Sequence, residues 1–245
     1  KQGLRDNRRS GAALREEEPA MTKVLLITGA STGIGAATAR AATAAGWAVG
    51  LMARSTDKLE ALAQELGADR ALPLAADVAD PEAQAAAVAT LVQRFGRLDA
   101  AFANAGRGSR QPGVETGDLD DWRGMLDANI WGLLVTCKVS LPELRKTKGQ
   151  ILLTGSRAGH IALKGSIYGA TKWFVHGFAA NLREEMQEWG GRCTVIAPGM
   201  TDTPFFDTAK PDKLKPEDVA RAVLYALDQP AHVTIGEGLL LPTNR

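Results

Sequence analysis

Tyr168 and Lys172 are well suited to moving a proton, and they stand four residues apart within SIYGATKW. In a helix, that spacing places both side chains on one face. A free tyrosine has a pKa of about 10 and is a poor acid–base group at neutral pH. A nearby ammonium group stabilises the phenolate and lowers that pKa, so the pair could pass a proton to or from a substrate oxygen. Because this spacing often arises by chance, the pair alone is a weak motif.

A second candidate site is the glycine-rich turn within LLITGASTGIG, which places Gly29, Gly33 and Gly35 between an apolar run and an alanine-rich stretch. A turn that follows a strand and opens a helix is the context of a dinucleotide-binding site. The glycines let the backbone approach a pyrophosphate, which the helix N-terminus attracts. The spacing differs from Gly-x-Gly-x-x-Gly, and a tight strand-to-helix turn with no ligand is the alternative.

The residues after the second and third strands bear on which dinucleotide would bind. The second strand ends at Ala53 and is followed by Arg54, where NAD-binding folds carry an acidic residue for the ribose hydroxyls. A guanidinium there suits a 2′-phosphate and favours NADP, although a surface arginine is the alternative. After the third strand, Asp77 could accept a hydrogen bond from the adenine amino group, with Val78 donating its backbone N–H. Asp80, directly before a proline, fits a helix N-cap better than Asp77 does.

The elements that must position these groups alternate along the chain. Helical patterns are predicted over 34–45, 56–67, 81–95, 166–189 and 216–229. The strand-like runs are KVLLIT, WAVGLMA, RALPLAA, LDAAFA, GQILLTG, RCTVIAP and GEGLLL. Runs this apolar are typical of a parallel sheet covered on both faces. The pattern predicts an α/β fold, a single doubly wound Rossmann-type domain with a mostly parallel seven-stranded sheet.

Composition excludes several classes of protein. The 245 residues carry a formal net charge of +1, which favours neither nucleic acid nor an anionic membrane as a partner. Two separate cysteines fit a reducing, cytoplasmic setting and predict no metal site. No apolar run approaches a membrane span. Residues 1–20 mix both charge signs and are expected to be a disordered or non-native extension of a single domain at 21–245.

With these motifs placed in order, the chain resembles the short-chain dehydrogenase/reductase family from Lys23 to the C-terminus. Two departures are small: the family's Asn-Asn-Ala-Gly strand end has Ala103 in place of its first asparagine, and Ser156 lies twelve residues before Tyr168, one closer than is common. The matching positions are Thr28, Gly29, Gly33, Ile34 and Gly35, then Asn104, Ala105 and Gly106, then Asn129, Ser156, Tyr168, Lys172, and Pro198 through Thr203.

The resemblance implies a role for each matched residue. Tyr168 would be the general acid in reduction and the base in oxidation, and Lys172 would lower its pKa and bind the nicotinamide ribose. Ser156 would hold the substrate oxygen, and Asn129 would anchor a proton-relaying water. The implied cofactor is NADP(H), with NAD(H) as the weaker alternative. Its expected binding residues are Gly29, Ser31, Thr32, Gly33, Ile34, Gly35, Arg54, Asp77, Val78, Asn104, Ala105, Gly106, Tyr168, Lys172, Pro198, Gly199 and Thr203.

The C-terminal HVTIGEGLLLPTNR resembles the family branch of small alcohol and 3-hydroxy acid dehydrogenases. The first expectation is therefore NADP-linked interconversion of a small hydroxy compound with its ketone or aldehyde, in a homotetramer or homodimer. The resemblance implies that long helices around residues 129–144 and 166–189 pair between the subunits. A biosynthetic ketoreductase or aldehyde reductase of specialised metabolism is the alternative within the class. A non-catalytic NADP-binding redox sensor is the alternative outside it, disfavoured because Ser156, Tyr168 and Lys172 are all present.

His160 is expected to be a surface loop residue, and His176 is expected to serve packing or an interface. Trp131, Met200, Phe205 and Phe206 are expected to line either the pocket or the core.

Overall fold

The computed structural model describes residues 22–111 and 113–244, so the predicted N-terminal extension lies outside the described residues. Seven strands form one sheet in the order β3-β2-β1-β4-β5-β6-β7, and every neighbouring pair is parallel. This confirms the predicted doubly wound, seven-stranded α/β fold. The strands are β1 (Val24–Thr28), β2 (Ala48–Ala53), β3 (Ala71–Ala75), β4 (Ala100–Ala103), β5 (Gln150–Thr154), β6 (Arg192–Pro198) and β7 (Glu237–Leu240).

Helices cover the sheet on both faces because the central strands are apolar on both sides. In β1, Leu25 and Ile27 pack with α1, α2 and α7, whereas Val24 and Leu26 face the core shared with α3, α5 and α6. The helices are α1 (Gly33–Ala44), α2 (Thr56–Leu66), α3 (Pro81–Phe95), α4 (Leu119–Leu126), α5 (Gly132–Thr147), α6 (Ile167–Gln187) and α7 (Pro216–Leu227). In the described ranges, no helix is both long enough and apolar enough to cross a membrane.

The element predictions hold apart from their ends and one missed helix. The helix expected over 34–45 begins at Gly33, and the one expected over 166–189 ends at Gln187. The sequence analysis did not predict α4. The Asp118 carboxylate caps it by accepting hydrogen bonds from the backbone N–H groups of Asp120 and Asp121, at 2.8 and 3.0 Å. Helix α4 has only eight residues and buries only Asp121 and Met125, so its apolar pattern is short. A short π-helical segment, Asp127–Trp131, joins it to α5.

The strand order leaves one crevice at the carboxyl edge of the sheet. From β1 the chain winds outward to β2 and β3, then crosses back to place β4 on the other side of β1. The loops that follow β1 and β4 therefore diverge, and ligands of doubly wound folds bind in the gap that results. The residues predicted for chemistry follow strands that all end at this edge.

Candidate active site

The glycine turn between β1 and α1 is built on close backbone contacts. Gly29 and Gly33 adopt positive φ angles of 66° and 53°, which a residue with a side chain rarely adopts. A Cβ at Gly29 would lie 2.9 Å from the Cα of Ala105 on the neighbouring loop. A Cβ at Gly35 would overlap the Gly29 carbonyl. These positions need glycine because the helix, the turn and the β4 loop approach one another too closely for a side chain.

The start of α1 suits a phosphate group. Its first N–H groups have no partner within the helix. Thr32, the N-cap residue, makes no capping hydrogen bond with its side chain, and the first turn carries no acidic residue. Ser31 and Ile34, which flank this cap, are half-buried beside the turn. Unsatisfied N–H donors at the positive end of a helix dipole fit the pyrophosphate of a dinucleotide.

Thr28, at the end of β1, fastens the β4 loop to the turn. Its Oγ1 accepts hydrogen bonds from the backbone N–H groups of Asn104 and Ala105, both at 3.0 Å. The Asn104 side-chain amide donates to the Thr28 carbonyl at 3.0 Å and accepts from the Thr154 hydroxyl at 3.2 Å. Asn104 thus joins the ends of three strands. Asn104, which was predicted to bind the cofactor, is therefore held in place by hydrogen bonds to the neighbouring strand ends.

Arg54 and Asp77 face each other across the ends of β2 and β3. Their side chains approach to 3.7 Å, and both are well exposed, so this ion pair contributes little to stability. Asp77 also accepts a hydrogen bond from the backbone of Ala79 at 2.9 Å. Val78 is buried against Gly132. As expected, Asp80 is the N-cap of α3, accepting from two backbone N–H groups. Arg54 is therefore available at the tip of β2 to contact a ligand.

Ser156, Tyr168 and Lys172 converge beyond the end of β5. Ser156 is buried, and its hydroxyl donates to the Pro198 carbonyl at 3.4 Å and accepts from the Ala158 N–H at 3.1 Å. Tyr168 and Lys172 lie on the first turns of α6, where the Ser166 side chain caps the helix. The Lys172 Nζ lies 5.7 Å from the centre of the Tyr168 ring. The fold therefore brings together the three side chains singled out for catalysis.

Burial shifts the pKa values of Tyr168 and Lys172. Burial raises the pKa of Tyr168 above its ordinary value, and hydrogen bonding with Ser156 opposes that rise. Burial lowers the pKa of Lys172 to about 8. The Lys172 ammonium donates to the Thr154 carbonyl at 2.7 Å. The lowered Tyr168 pKa implied by the family resemblance is thus not seen in the protein alone, because desolvation outweighs the stabilisation of a phenolate.

Asn129 lies in the π-helical segment, a feature that is frequent at functional sites. Its side-chain Oδ1 accepts from the Arg107 N–H at 2.8 Å, and its Nδ2 donates to the Arg107 carbonyl at 2.9 Å. The same Nδ2 donates to the Thr171 hydroxyl at 3.1 Å, one residue before Lys172 on α6. A Cβ at Gly106 would lie 3.0 Å from the Asn129 Oδ1, a contact so tight that Asn129 would have to shift. Asn129 thus connects the β4 loop to the helix that carries the tyrosine and lysine.

The segment after β6 closes the other side of the crevice. The Gly199 N–H donates to the Leu240 carbonyl on β7 at 2.7 Å, which fixes the Pro198–Gly199 turn. Thr203 lies against Gly33 of the glycine turn. Phe205 follows it, with its ring centre 5.5 Å from that of Tyr168 and its edge against Gly108. Of the four aromatic or apolar residues left open by the sequence, Phe205 thus lies beside the tyrosine.

Three groups that the sequence analysis did not connect lie next to Ser156. His160 and His176 pack with ring centres 4.3 Å apart, and both approach the carboxylate of Glu237 on β7. His160 is a partly exposed loop residue and His176 packs inside the fold, as expected for each alone. His160 and Glu237 are 77 positions apart in the sequence, so their pairing could not be predicted from it. The sequence carries no local signal for it.

Comparison with known proteins decides the family. A family model described as short chain dehydrogenase matches residues 23–214. The chain belongs to this family. An uncharacterized oxidoreductase of Staphylococcus aureus strain MRSA252 is 37% identical over 225 residues, covering 90% of this chain and 97% of the relative.

Solved structures of two similar proteins share the fold of this short-chain dehydrogenase over nearly its whole length. The alcohol dehydrogenase of Thermococcus sibiricus, complexed with 5-hydroxy-NADP, has a TM-score of 0.85 and 31% identity, covering 91% of this chain and 98% of that one. Serine dehydrogenase from Escherichia coli has a TM-score of 0.83 and 31% identity, covering 91% and 99%.

Proposed function

We propose that this short-chain dehydrogenase catalyses reversible hydride transfer between NADP(H) and a small compound that alternates between hydroxyl and carbonyl forms. The observation that carries the proposal is the convergence of Ser156, Tyr168 and Lys172 beside the glycine turn, at the crevice where β1 and β4 diverge. Carbonyl reduction needs a proton donor for the oxygen and a bound dinucleotide that supplies the hydride, and these side chains and the glycine turn would provide the two.

The bound nicotinamide would supply the hydride, and the side chains of the protein would handle the oxygen and its proton. The raised pKa of Tyr168 keeps its phenol protonated at neutral pH, so it is ready to donate to a carbonyl oxygen during reduction. The Ser156 hydroxyl would hold that oxygen and share its developing charge. Lys172, with a pKa near 8, would stabilise the phenolate that remains after donation.

The residues around the crevice divide into two parts of a cofactor site. Gly29, Ser31, Thr32, Gly33, Ile34 and Gly35 would take the pyrophosphate, with Arg54, Asp77 and Val78 at the adenosine end. Asn104, Ala105, Gly106, Tyr168, Lys172, Pro198, Gly199 and Thr203 would surround the nicotinamide end. Arg54 supports NADP because its exposed guanidinium at the tip of β2 is placed for a 2′-phosphate. The named ligand of the Thermococcus sibiricus relative, 5-hydroxy-NADP, also supports this choice.

The substrate class that we propose is a small alcohol or 3-hydroxy acid with its ketone or aldehyde. The names of the two solved relatives support it, since serine itself carries its hydroxyl on carbon 3 of an acid. Phe205 beside Tyr168 would give the substrate site one apolar wall.

The test is NADPH and NADH oxidation over a panel of small aldehydes, ketones and 3-oxo acids, with the Tyr168→Phe variant beside the wild type. Loss of a general acid costs about 10²–10⁴ in rate, so Tyr168→Phe should lose turnover by that factor while its NADPH affinity stays nearly unchanged. Tyr225→Phe is the matched control, because Tyr225 is the other tyrosine of the chain and is exposed on α7.

Full activity in Tyr168→Phe would refute the assigned role of the phenol. Equal loss of NADPH binding in that variant would mean that the substitution disturbed the fold. Tight NADPH binding with no turnover on any substrate would instead favour the redox-sensor alternative.

We also propose that the subunits associate, with the outer faces of α5 and α6 as the contact. Leu134, Leu141 and Phe178 line a groove between these helices, and Trp173 is 54% exposed on α6. Sedimentation velocity would test this, and a monomer at micromolar concentration would overturn it. A cytoplasmic location stays a prediction from the cysteine content.

A further inference from the structure

Three potential metal ligands meet beside the loop that carries Ser156. His160 ends a short 3-10 turn after β5, His176 lies on α6, and Glu237 begins β7. The His160 Nε2 lies 2.5 Å from one Glu237 oxygen, and the His176 Nδ1 lies 3.3 Å from the other. One ligand atom from each residue falls within 4.8 Å of the other two. The three elements are distant in sequence, so tertiary structure alone creates the cluster.

The hydrogen bonding of His176 points to a cation between it and Glu237. Its Nε2 lies 3.3 Å from the Ser156 carbonyl oxygen, which can only accept, as can the Glu237 oxygen that faces Nδ1. A neutral ring has one proton, and we assign it to Nε2 because the contact there has hydrogen-bond geometry and the contact at Nδ1 does not. In a neutral ring, Nδ1 is then a lone pair, and it is buried with no hydrogen-bond partner among the described residues. That lone pair faces a carboxylate oxygen at 3.3 Å. Two acceptors at this separation repel each other unless a proton or a metal cation lies between them.

We propose that His160, His176 and Glu237 form a site for a divalent first-row transition-metal ion, with Zn²⁺ as the best match. Two imidazoles and one carboxylate are ligands that Zn²⁺ accepts, and a fourth position would be left for water. Tetrahedral ligands at about 2.0 Å from the ion lie about 3.3 Å apart, which the separation of His176 and Glu237 already matches. His160, on a partly exposed loop, needs to move by about 1 Å.

The two cysteines and the third histidine of the chain do not compete with this cluster for a metal ion. Cys137 and Cys193 are buried, and burial raises the pKa of both thiols, that of Cys193 to about 12. They are therefore protonated at neutral pH, whereas a metal binds the thiolate. The chain has three histidines, and the third, His232, is exposed on a separate turn.

An ion in this site would act on the position of Ser156. The His176 ring fills the space over Gly155 and Gly159, and a side chain on either glycine would collide with it. The Nε2–H to the Ser156 carbonyl is the outer hydrogen bond that fixes the orientation of a metal-bound imidazole. The ion would thus join the loop after β5 to α6 and β7. It would restrain the backbone of Ser156 through the hydrogen bond from His176.

The test uses the full chain without an affinity tag, stripped with a chelator and titrated with Zn²⁺ by calorimetry. Co²⁺ serves as a second probe, because its visible absorption reports tetrahedral coordination. We expect one Zn²⁺ per chain in the wild type and in His232→Ala. His160→Ala and Glu237→Gln should each weaken binding by about tenfold or more, as even outer-shell losses do at metal sites. Zn²⁺ should raise the melting temperature of the wild type but not of these two variants.

A wild type that takes up no stoichiometric Zn²⁺ would overturn the proposal, and a proton on Nδ1 would then explain the contact with Glu237. Binding that survives in both cluster variants, or that is lost in His232→Ala, would overturn it as well. Both altered residues are partly exposed, and circular dichroism would verify that each variant is folded. None of these readouts needs turnover, so the result is independent of the proposed oxidoreductase activity.

Discussion

Replacing Lys172 with methionine tests how much the burial of its catalytic ammonium group lowers the free energy of unfolding. The side chain is 5% exposed, and burial lowers the pKa from its ordinary 10.5 to about 8. At about 1.4 kcal/mol per pKa unit, this burial costs the folded state about 3 kcal/mol at pH 7. Methionine has a similar length and no charge to desolvate. The variant also loses the hydrogen bond to the Thr154 carbonyl, which is worth about 2 kcal/mol for a charged donor.

The expected balance is a variant about 1 kcal/mol more stable than the wild type at pH 7, with turnover abolished. Urea unfolding at one fixed protein concentration measures it. With a slope near 3 kcal/mol/M, the midpoint should rise by about 0.3 M. Lys58→Met is the matched control, because Lys58 is exposed on α2, away from the proposed subunit contact on α5 and α6, and its loss should change stability by less than about 0.5 kcal/mol.

The pH dependence gives a second check on the same reasoning. Between pH 8 and 10.5 the unfolded chain holds the Lys172 proton more tightly than the folded chain does. The wild type therefore gains stability from this group as the pH rises through that window. The advantage of Lys172→Met should be complete below about pH 8 and absent above 10.5. A variant that is less stable than the wild type at pH 7, or a difference that does not change with pH, would refute the burial argument.

Two further predictions concern the cofactor end. Arg54→Asp should lower the ratio of kcat/KM for NADPH to that for NADH by about tenfold or more, because it removes charge-assisted hydrogen bonds to the 2′-phosphate. Arg70→Asp is the control, because Arg70 lies at the amino end of β3, away from the carboxyl ends of the strands. An unchanged ratio in Arg54→Asp would make Arg54 a surface residue only. Gly35→Ala should destabilise the fold by about 1–3 kcal/mol and abolish dinucleotide binding, since its Cβ meets the Gly29 backbone. Gly177→Ala, in α6 with nothing within 4 Å, should instead stabilise by about 0.5–1 kcal/mol, and thermal melts that show the same sign for both would contradict the packing argument.

The sequence by itself determined the fold class because its signals are local. Each apolar run is a strand whose two faces must both be covered, and that property is written in consecutive residues. The positive φ angles at Gly29 and Gly33, and the helical spacing of Tyr168 and Lys172, are likewise properties of short segments. The missed helix α4 shows the limit, since a helix of eight residues that buries only Asp121 and Met125 leaves a short pattern to detect.

Tertiary structure decided what those residues experience. The directions of the Tyr168 and Lys172 pKa shifts follow from desolvation, which depends on everything packed around them rather than on their spacing. The meeting of His160, His176 and Glu237 joins segments up to 77 residues apart, because β7 lies beside β6 at the edge of the sheet. Spacing along the chain determines which face of a helix a side chain shares, whereas burial and long-range neighbours exist only once the strands have paired.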